Sequence, residues 1–117
     1  TIIGYYYIST NNEGFQGNKL KCGKDEVLLV LFYTNWCGHC KTFKPKWKEA
    51  KKKFNGKIYN NRRLVMKEID CEADEQLAKK YNINGYPTIK SILPNNNVQE
   101  YEGGRNEEEM INFLNNL

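Results

Sequence analysis

Residues 27–33 form the longest uninterrupted apolar run of the chain, with the sequence VLLVLFY. Such a run, β-branched at Val27 and Val30, is typical of a strand that lies at the centre of a sheet and is covered on both faces. It is far shorter than the roughly 20 residues that a helix needs to span a bilayer. We therefore predict a buried central strand, which leads the chain directly to Cys37.

The chain has 117 residues, of which 39% are hydrophobic, and this suffices for one buried core with little room for two. We predict a single soluble domain spanning residues 1–117. The chain begins with Thr and shows no basic-then-apolar leader, as expected of a mature or trimmed chain, so further domains of a longer precursor stay open.

Apolar runs alternate with stretches of helical periodicity, which predicts a mixed α/β domain. Strands are predicted at residues 2–8, 27–33, 64–70, 87–93 and 98–101. Helices are predicted at residues 38–54, at residues 74–81 and from Asn106, whose side chain can cap the last helix. Pro45 predicts a kink in the first helix, whereas residues 9–26 carry no clear signal.

The net charge is +4 and comes mostly from lysine. The densest basic stretch, residues 41–57, carries apolar residues among its lysines at helical spacing, which is typical of the solvated face of an amphipathic helix. We therefore predict no nucleic-acid partner.

Cys37 and Cys40 stand three positions apart, with Gly38 and the chain's single histidine, His39, between them. Cys37 lies where a strand ends and a helix begins, so unpaired N–H groups and the helix dipole favour its thiolate by roughly 0.3–1 kcal/mol, or ~2 kcal/mol when partly buried. This is about one pKa unit. His39 is placed to supply much of the remaining lowering of the Cys37 pKa. Because the thiolate is the nucleophile in disulfide exchange, the motif favours a redox centre.

Other uses of the cysteines fit less well. A zinc or iron–sulfur site needs further ligands at paired spacing, and haem attachment needs a histidine where this chain has Lys41. We therefore predict no metal and no cofactor. Cys22 and Cys71 could pair in a second disulfide or remain two isolated thiols, and we predict no catalytic role for either.

Several separated motifs resemble those of the thioredoxin superfamily: a strand running into WCGHCK, a proline five residues after the second cysteine, and GYPT before a strand. More narrowly, CGHC with YPT and YEGGR resembles a catalytic domain of protein disulfide isomerase. The resemblance covers residues 27–117 and implies a thioredoxin fold, in which helices flank both faces of a central mixed β-sheet.

This resemblance implies that Cys37 attacks substrate disulfides, that Cys40 resolves the mixed disulfide, and that the two form a redox-active disulfide. His39 stands where thioredoxins carry proline. Thioredoxins lie near about −270 mV and protein disulfide isomerases near about −180 mV, so His39 favours disulfide formation and reshuffling.

The resemblance also implies a substrate site beside the cysteines. A cis bond between Tyr86 and Pro87 would present the Tyr86 backbone to an extended peptide. A shallow apolar rim would surround it, formed by Trp36, Gly38, His39, Tyr86 and the loop at Gly103.

Deprotonation of Cys40 is helped in this family by a buried acid and an arginine. Arg105 matches the arginine, but Leu31 occupies the acid's position. Counting back from GYPT puts the acid's usual lysine partner at Glu68. We therefore hypothesise that Glu68, buried beneath the site with a raised pKa, takes the proton of Cys40; the alternative is a strand residue near solvent.

The leading interpretation is a protein disulfide isomerase-like enzyme, a thiol–disulfide oxidoreductase that acts on protein substrates. The alternatives are a thioredoxin-like general reductase and a chaperone-like module that binds clients without turnover. We expect a monomeric domain in the endoplasmic reticulum lumen or another oxidising compartment, with the cytoplasm as the alternative. The redox partner stays open among glutathione, an oxidase and a reductase.

Overall fold

The computed structural model describes residues 20–103 and 106–117. In these ranges the elements are β1 (Glu26–Tyr33), α1 (Gly38–Phe54), β2 (Ile58–Tyr59), β3 (Arg62–Asp70), α2 (Glu75–Lys80), β4 (Thr88–Ile92), β5 (Val98–Glu100) and α3 (Glu107–Asn115). The strand predicted at residues 2–8 and the predicted site residue Arg105 lie outside the described residues.

The strands form one mixed sheet in the order β2-β3-β1-β4-β5. β1 pairs in parallel with β3 on one side and antiparallel with β4 on the other. Its register places Leu31 opposite Glu68 on β3 and opposite Ile89 on β4. The long apolar run is therefore the central strand, as predicted.

Side chains of β1 point alternately to the two faces of this sheet. Leu29 and Leu31 pack in a cluster with Trp47 of α1 and Leu114 of α3. The neighbouring side chains on β1 pack on the opposite face with the residues Leu77 and Ala78 of α2. Complete burial of a side chain of this size contributes about 1.5–3 kcal/mol, so β1 anchors both layers and fixes the position of its carboxyl end.

The sequence prediction missed the short strand β2, which it had treated as a loop. Asn60 and Asn61 both have positive φ, at 49° and 65°, and they connect Tyr59 to its partner Arg62. Two consecutive left-handed residues form the hairpin turn that matches strand twist, and asparagine tolerates this conformation better than most residues. Because β2 is only two residues long, its apolar pattern was too short to predict a strand.

The two longer helices begin with side-chain caps. In α3, the Asn106 side-chain oxygen accepts a hydrogen bond from the backbone N–H of Glu109 at 2.9 Å, as predicted. In α1, which continues through Pro45, the cap is Cys37. None of the helices in the described ranges has the length and apolar character that a membrane crossing requires.

Candidate active site

Cys37 caps the N-terminus of α1. Its backbone is extended, with φ −79° and ψ 118°, and its carbonyl accepts the hydrogen bond from Lys41 N–H at 3.2 Å. The backbone N–H of Cys40 donates to Cys37 Sγ at 3.3 Å. The sulfur therefore occupies the position of the capping oxygen in an ordinary helix cap, where unpaired N–H groups converge.

The pKa of Cys37 is lowered below its ordinary value. The largest cause is a hydrogen bond from the Cys40 thiol; burial acts in the opposite direction, and the backbone N–H groups of Cys40 and His39 lower the pKa further. The imidazole of His39 is exposed. His39 therefore lowers this pKa through its backbone N–H, and the contribution expected from its ring stays a prediction.

Cys40 has the opposite electrostatic environment. Its side chain is only 1% exposed, and burial together with the neighbouring Cys37 raises its pKa to about 11. A backbone hydrogen bond from Thr34 and the charge of Lys44 oppose this rise. The lowered pKa of Cys37 suits the thiol that attacks first, and the raised pKa of Cys40 suits the thiol that resolves the mixed disulfide.

The predicted peptide-binding residues lie beside the nucleophile. The bond between Tyr86 and Pro87 is cis, and the Cys37 thiol donates a hydrogen bond to the Tyr86 carbonyl oxygen at 3.4 Å. Trp36 is 67% exposed, and its ring meets that of Tyr86 edge-on at 6.0 Å between centroids. The structure therefore brings these residues together around Cys37 and leaves an apolar indole available at the surface.

Gly103 also lies near Pro87. Both residues line a cavity of about 280 Å³, whose wall also includes Phe43 and Tyr101. A Cβ at Gly103 would lie 2.8 Å from the Tyr101 ring, whereas a Cβ at Gly38 would meet nothing within 4 Å. Packing within the chain thus explains a glycine at position 103, while Gly38 leaves open space next to the reactive sulfur.

The environment of Glu68 contradicts the predicted raised pKa. Burial pushes its pKa upward, but hydrogen bonds from Trp47 and Lys51, with the charges of Lys51 and Lys44, outweigh this effect and lower the pKa. The Trp47 indole N–H and the Lys51 ammonium each donate to Glu68 Oε2 at 2.9 Å. The side chain is 33% exposed, so Glu68 is an ion-paired strand residue near solvent.

The other two cysteines are also free thiols in this structure. Cys22 donates a hydrogen bond to the carbonyl oxygen of Glu26 at 3.2 Å. Cys71 is buried directly after β3, and burial raises its pKa even though a hydrogen bond from the Tyr86 side chain lowers it. Cys71 thus lies close to Tyr86, a predicted substrate-binding residue, without the helix N-terminus that favours a thiolate at Cys37.

One contact near the site was missed in the sequence interpretation. The ammonium of Lys44 lies 3.9 Å from the centroid of the Tyr33 ring, at the carboxyl end of β1. Lys44 stands four residues after Cys40 on α1, and this spacing was the available signal. It was obscured because α1 carries many lysines, all of which were treated as one solvated face.

Comparisons with known proteins show the family to which this chain belongs. The chain matches the thioredoxin family over residues 7–116. It is 35% identical over 100 residues to a protein disulfide-isomerase A6 homolog of Drosophila melanogaster, covering 82% of this chain and 22% of that protein. It is 37% identical over 101 residues to protein disulfide-isomerase A4 of Rattus norvegicus, covering 86% of this chain and 15% of that protein.

A solved structure shows the same architecture. The first thioredoxin domain of mouse protein disulfide-isomerase A4 matches with a TM-score of 0.70 and 29% identity, covering 92% of this chain and 71% of that chain. The chain therefore belongs to the thioredoxin family, and the predicted thioredoxin fold is confirmed. The chain spans less than a quarter of the length of the protein disulfide-isomerases that it matches.

Proposed function

We propose that the domain forms, reduces and isomerises disulfides in protein substrates through the Cys37–Cys40 pair. The observation that carries this proposal is the opposite shift of the two thiols: the pKa is lowered at Cys37 and raised to about 11 at Cys40. A favoured thiolate at Cys37 stabilises the reduced pair, which makes the disulfide form a better oxidant.

Each direction of the reaction uses the same atoms. In reduction, the Cys37 thiolate attacks a substrate disulfide, a Cys37–substrate bond forms, and the second substrate sulfur leaves as a thiolate. Cys40 then loses its proton and attacks Cys37 Sγ, which releases the first substrate sulfur and forms the Cys37–Cys40 disulfide. In oxidation these steps run backwards, and in isomerisation another substrate thiol attacks the mixed disulfide in place of Cys40.

Substrate binding in this proposal uses the backbone of Tyr86, whose carbonyl lies beside Cys37. An extended peptide paired with this backbone would bind with little sequence preference, because main-chain hydrogen bonds are common to all peptides. Trp36 and Gly103 would contact flanking substrate side chains, and Arg105 would assist proton transfer at Cys40.

Measurement of the reduction potential against glutathione, combined with isomerisation of a scrambled disulfide protein, tests the proposal. A potential near about −180 mV with turnover supports it, whereas a value near about −270 mV favours a general reductase. Client binding without turnover favours a chaperone-like module. Cys37→Ser is the negative control. Cys71→Ala is the matched control, because it removes a thiol and retains the redox pair.

We further infer that the domain works in the endoplasmic reticulum lumen, which is supported by its similarity to protein disulfide-isomerases. Disulfide exchange toward oxidation requires such a compartment. Glutathione, an oxidase or a reductase would recharge the Cys37–Cys40 pair there. Subcellular fractionation of the protein at its native expression level tests this inference, and a cytoplasmic location would contradict it.

A further inference from the structure

Lys44 occupies a defined position beside the active site. It lies one helical turn after Cys40, and side chains of a helix lean toward its N-terminus, so Lys44 extends back along the face that carries Cys40. Its ammonium lies 3.9 Å from the centroid of the Tyr33 ring. The ring quadrupole attracts a cation placed over its face, which favours this position of the ammonium. Lys44 is partly buried, whereas Lys48, one turn further along, is exposed.

The surroundings of Cys40 offer few ways to stabilise its thiolate. Burial and Cys37 disfavour the thiolate, while the Thr34 backbone and the charge of Lys44 favour it. Cys40 also interacts electrostatically with Tyr86, whose own pKa is raised mainly by burial.

The groups on the neighbouring strands do not replace Lys44. Leu31, at the position of the family's acid, is completely buried and apolar. Glu68 is bound by Lys51, and its pKa is lowered in part by the charge of Lys44. The charge of Lys44 therefore acts on both Cys40 and Glu68. Because its pKa is lowered, Glu68 is an anion at neutral pH and is a weak base toward the Cys40 proton.

Formation of the mixed disulfide changes this balance. Cys37 Sγ is then a neutral disulfide sulfur and a poor acceptor for the Cys40 thiol, so the hydrogen bond is weakened and the charge by which Cys37 raises the pKa of Cys40 is removed. Burial still opposes the Cys40 thiolate, and Thr34 and Lys44 still favour it. The charge of Lys44 consequently matters most in the state in which Cys40 must react.

We propose, on the basis of the function proposed above, that Lys44, held over the Tyr33 ring, is a positioning residue that stabilises the Cys40 thiolate during resolution of the mixed disulfide. Cys40 gives its proton to solvent, and its thiolate attacks Cys37 Sγ. The Cys37–Cys40 bond forms as the Cys37–substrate bond breaks, and the substrate sulfur leaves with the electron pair and takes up a proton. The cysteine pair is oxidised and the substrate is reduced.

Stopped-flow reaction of the reduced protein with dithiodipyridine, an uncharged aromatic disulfide, separates the two steps. All proteins compared, including the one that serves as wild type, carry Cys22→Ala and Cys71→Ala, so that only the redox pair reacts. The first equivalent of thiopyridone then reports attack by Cys37, and the second reports attack by Cys40. The variant Lys44→Met keeps the aliphatic stem and removes the charge. Lys48→Met removes the same charge at an exposed position of the same helix, and Lys44→Arg restores a cation.

In Lys44→Met we expect the second phase to be about three- to tenfold slower at neutral pH, because one pKa unit changes the thiolate fraction tenfold. The midpoint of the pH profile of the second phase should move to higher pH, since loss of a cation raises the pKa of Cys40. The first phase should change by less than about twofold, as should both phases of Lys48→Met. Lys44→Arg should restore the second phase.

An unchanged second phase in Lys44→Met, or equal slowing in Lys48→Met, would overturn the role of Lys44. Tyr33→Leu is a second variant that removes the ring and keeps the lysine. We expect it to slow the second phase by part of the amount seen in Lys44→Met. A second phase at the wild-type rate in Tyr33→Leu would contradict the role of the cation–π contact. If the wild-type protein releases only one equivalent of thiopyridone, the proposed redox function itself fails, whatever Lys44 does.

Discussion

The thiols of Cys37 and Cys71 both lie against Tyr86, and their pKa values are shifted in opposite directions. Cys37 is 7% exposed and contacts the Tyr86 carbonyl, whereas Cys71 is 4% exposed and accepts a hydrogen bond from the Tyr86 side chain. The pKa is lowered at Cys37 and raised at Cys71. Both residues expose little surface, but burial is the largest cause of the pKa shift only at Cys71, while at Cys37 a hydrogen bond from the Cys40 thiol outweighs it.

The decisive difference is the start of α1. At Cys37, a thiol and two backbone N–H groups are directed at the sulfur and outweigh the cost of burial. At Cys71, which lies beyond the end of β3, burial outweighs one side-chain and one backbone hydrogen bond, and the charge of Asp70 acts in the same direction as burial. The Cys40 thiol, together with the N–H groups at the start of α1, therefore favours a thiolate at Cys37, whereas burial prevails at Cys71.

The largest expected effect comes from removal of each thiol in turn. Cys37→Ser should reduce isomerisation of a scrambled disulfide protein to the uncatalysed background, because no attacking sulfur remains. Cys71→Ala should keep turnover within about twofold, since the redox pair is intact. Loss of turnover in a folded Cys71→Ala protein would show that the contrast between the two thiols is wrong.

Alkylation of the folded, reduced protein measures the contrast directly. At neutral pH, iodoacetamide should modify Cys37 faster than Cys71 by on the order of a hundredfold, because the rate follows both thiolate fraction and access. Mass mapping of peptides over time gives the two rates. Equal rates in the native protein would contradict the assignment, and denatured protein, in which both thiols should react alike, is the control.

A smaller effect is expected when the main cause of the lowered Cys37 pKa is removed. In Cys40→Ala, the hydrogen bond from the Cys40 thiol is lost while the backbone N–H groups remain. The pKa of Cys37 should rise toward its ordinary value, and alkylation at neutral pH should slow by about three- to tenfold. An unchanged pH profile of alkylation would mean that the backbone N–H groups suffice.

The smallest effect is expected at Glu68, a partly buried group whose pKa is also lowered by hydrogen bonds. Since the folded pKa lies below the unfolded value, Glu68 stabilises the fold above the unfolded pKa, and this contribution is lost as pH falls through the folded pKa. Glu68→Gln should lower the free energy of unfolding by up to about 1 kcal/mol at neutral pH and by less in acid.

Denaturant titration at neutral and acidic pH measures this difference, with Glu49→Gln on the exposed face of α1 as the matched control. The rate of mixed-disulfide release should stay unchanged in Glu68→Gln, because the carboxylate is already held as an anion by Lys51. A slower release at full stability would restore the hypothesis that Glu68 receives the proton of Cys40.

The sequence predicted the parts of the site that are local. Burial of β1 follows from its unbroken apolar run, and the helix that starts one residue after Cys37 makes that cysteine the cap. The resemblance added the cis bond at Pro87 and the exposed position of Trp36, both of which the structure contains. These features depend on short stretches of chain, which is why a pattern could predict them.

Of the two interpretations of Glu68, the raised pKa was wrong and the strand residue near solvent was confirmed, for a physical reason. Its position in the register was correct, since it pairs with Leu31 across the sheet. The identity of its partners was not predictable, because Trp47 and Lys51 are 21 and 17 residues away in the chain and α1 offers many lysines. Hydrogen bonds from the Trp47 indole and the Lys51 ammonium, with the charges of Lys51 and Lys44, reversed the direction of its pKa shift.

The sequence by itself determined the central strand, the helix that follows it and therefore which cysteine lies at the helix N-terminus. Only the tertiary structure decided that Lys44 lies over Tyr33, that Lys51 binds Glu68, and that Tyr86 contacts both Cys37 and Cys71. Periodicity and capping act over a few residues, so sequence reports them. Pairing between side chains depends on how helices pack on the sheet, and on which of several chemically equivalent partners that packing brings within reach.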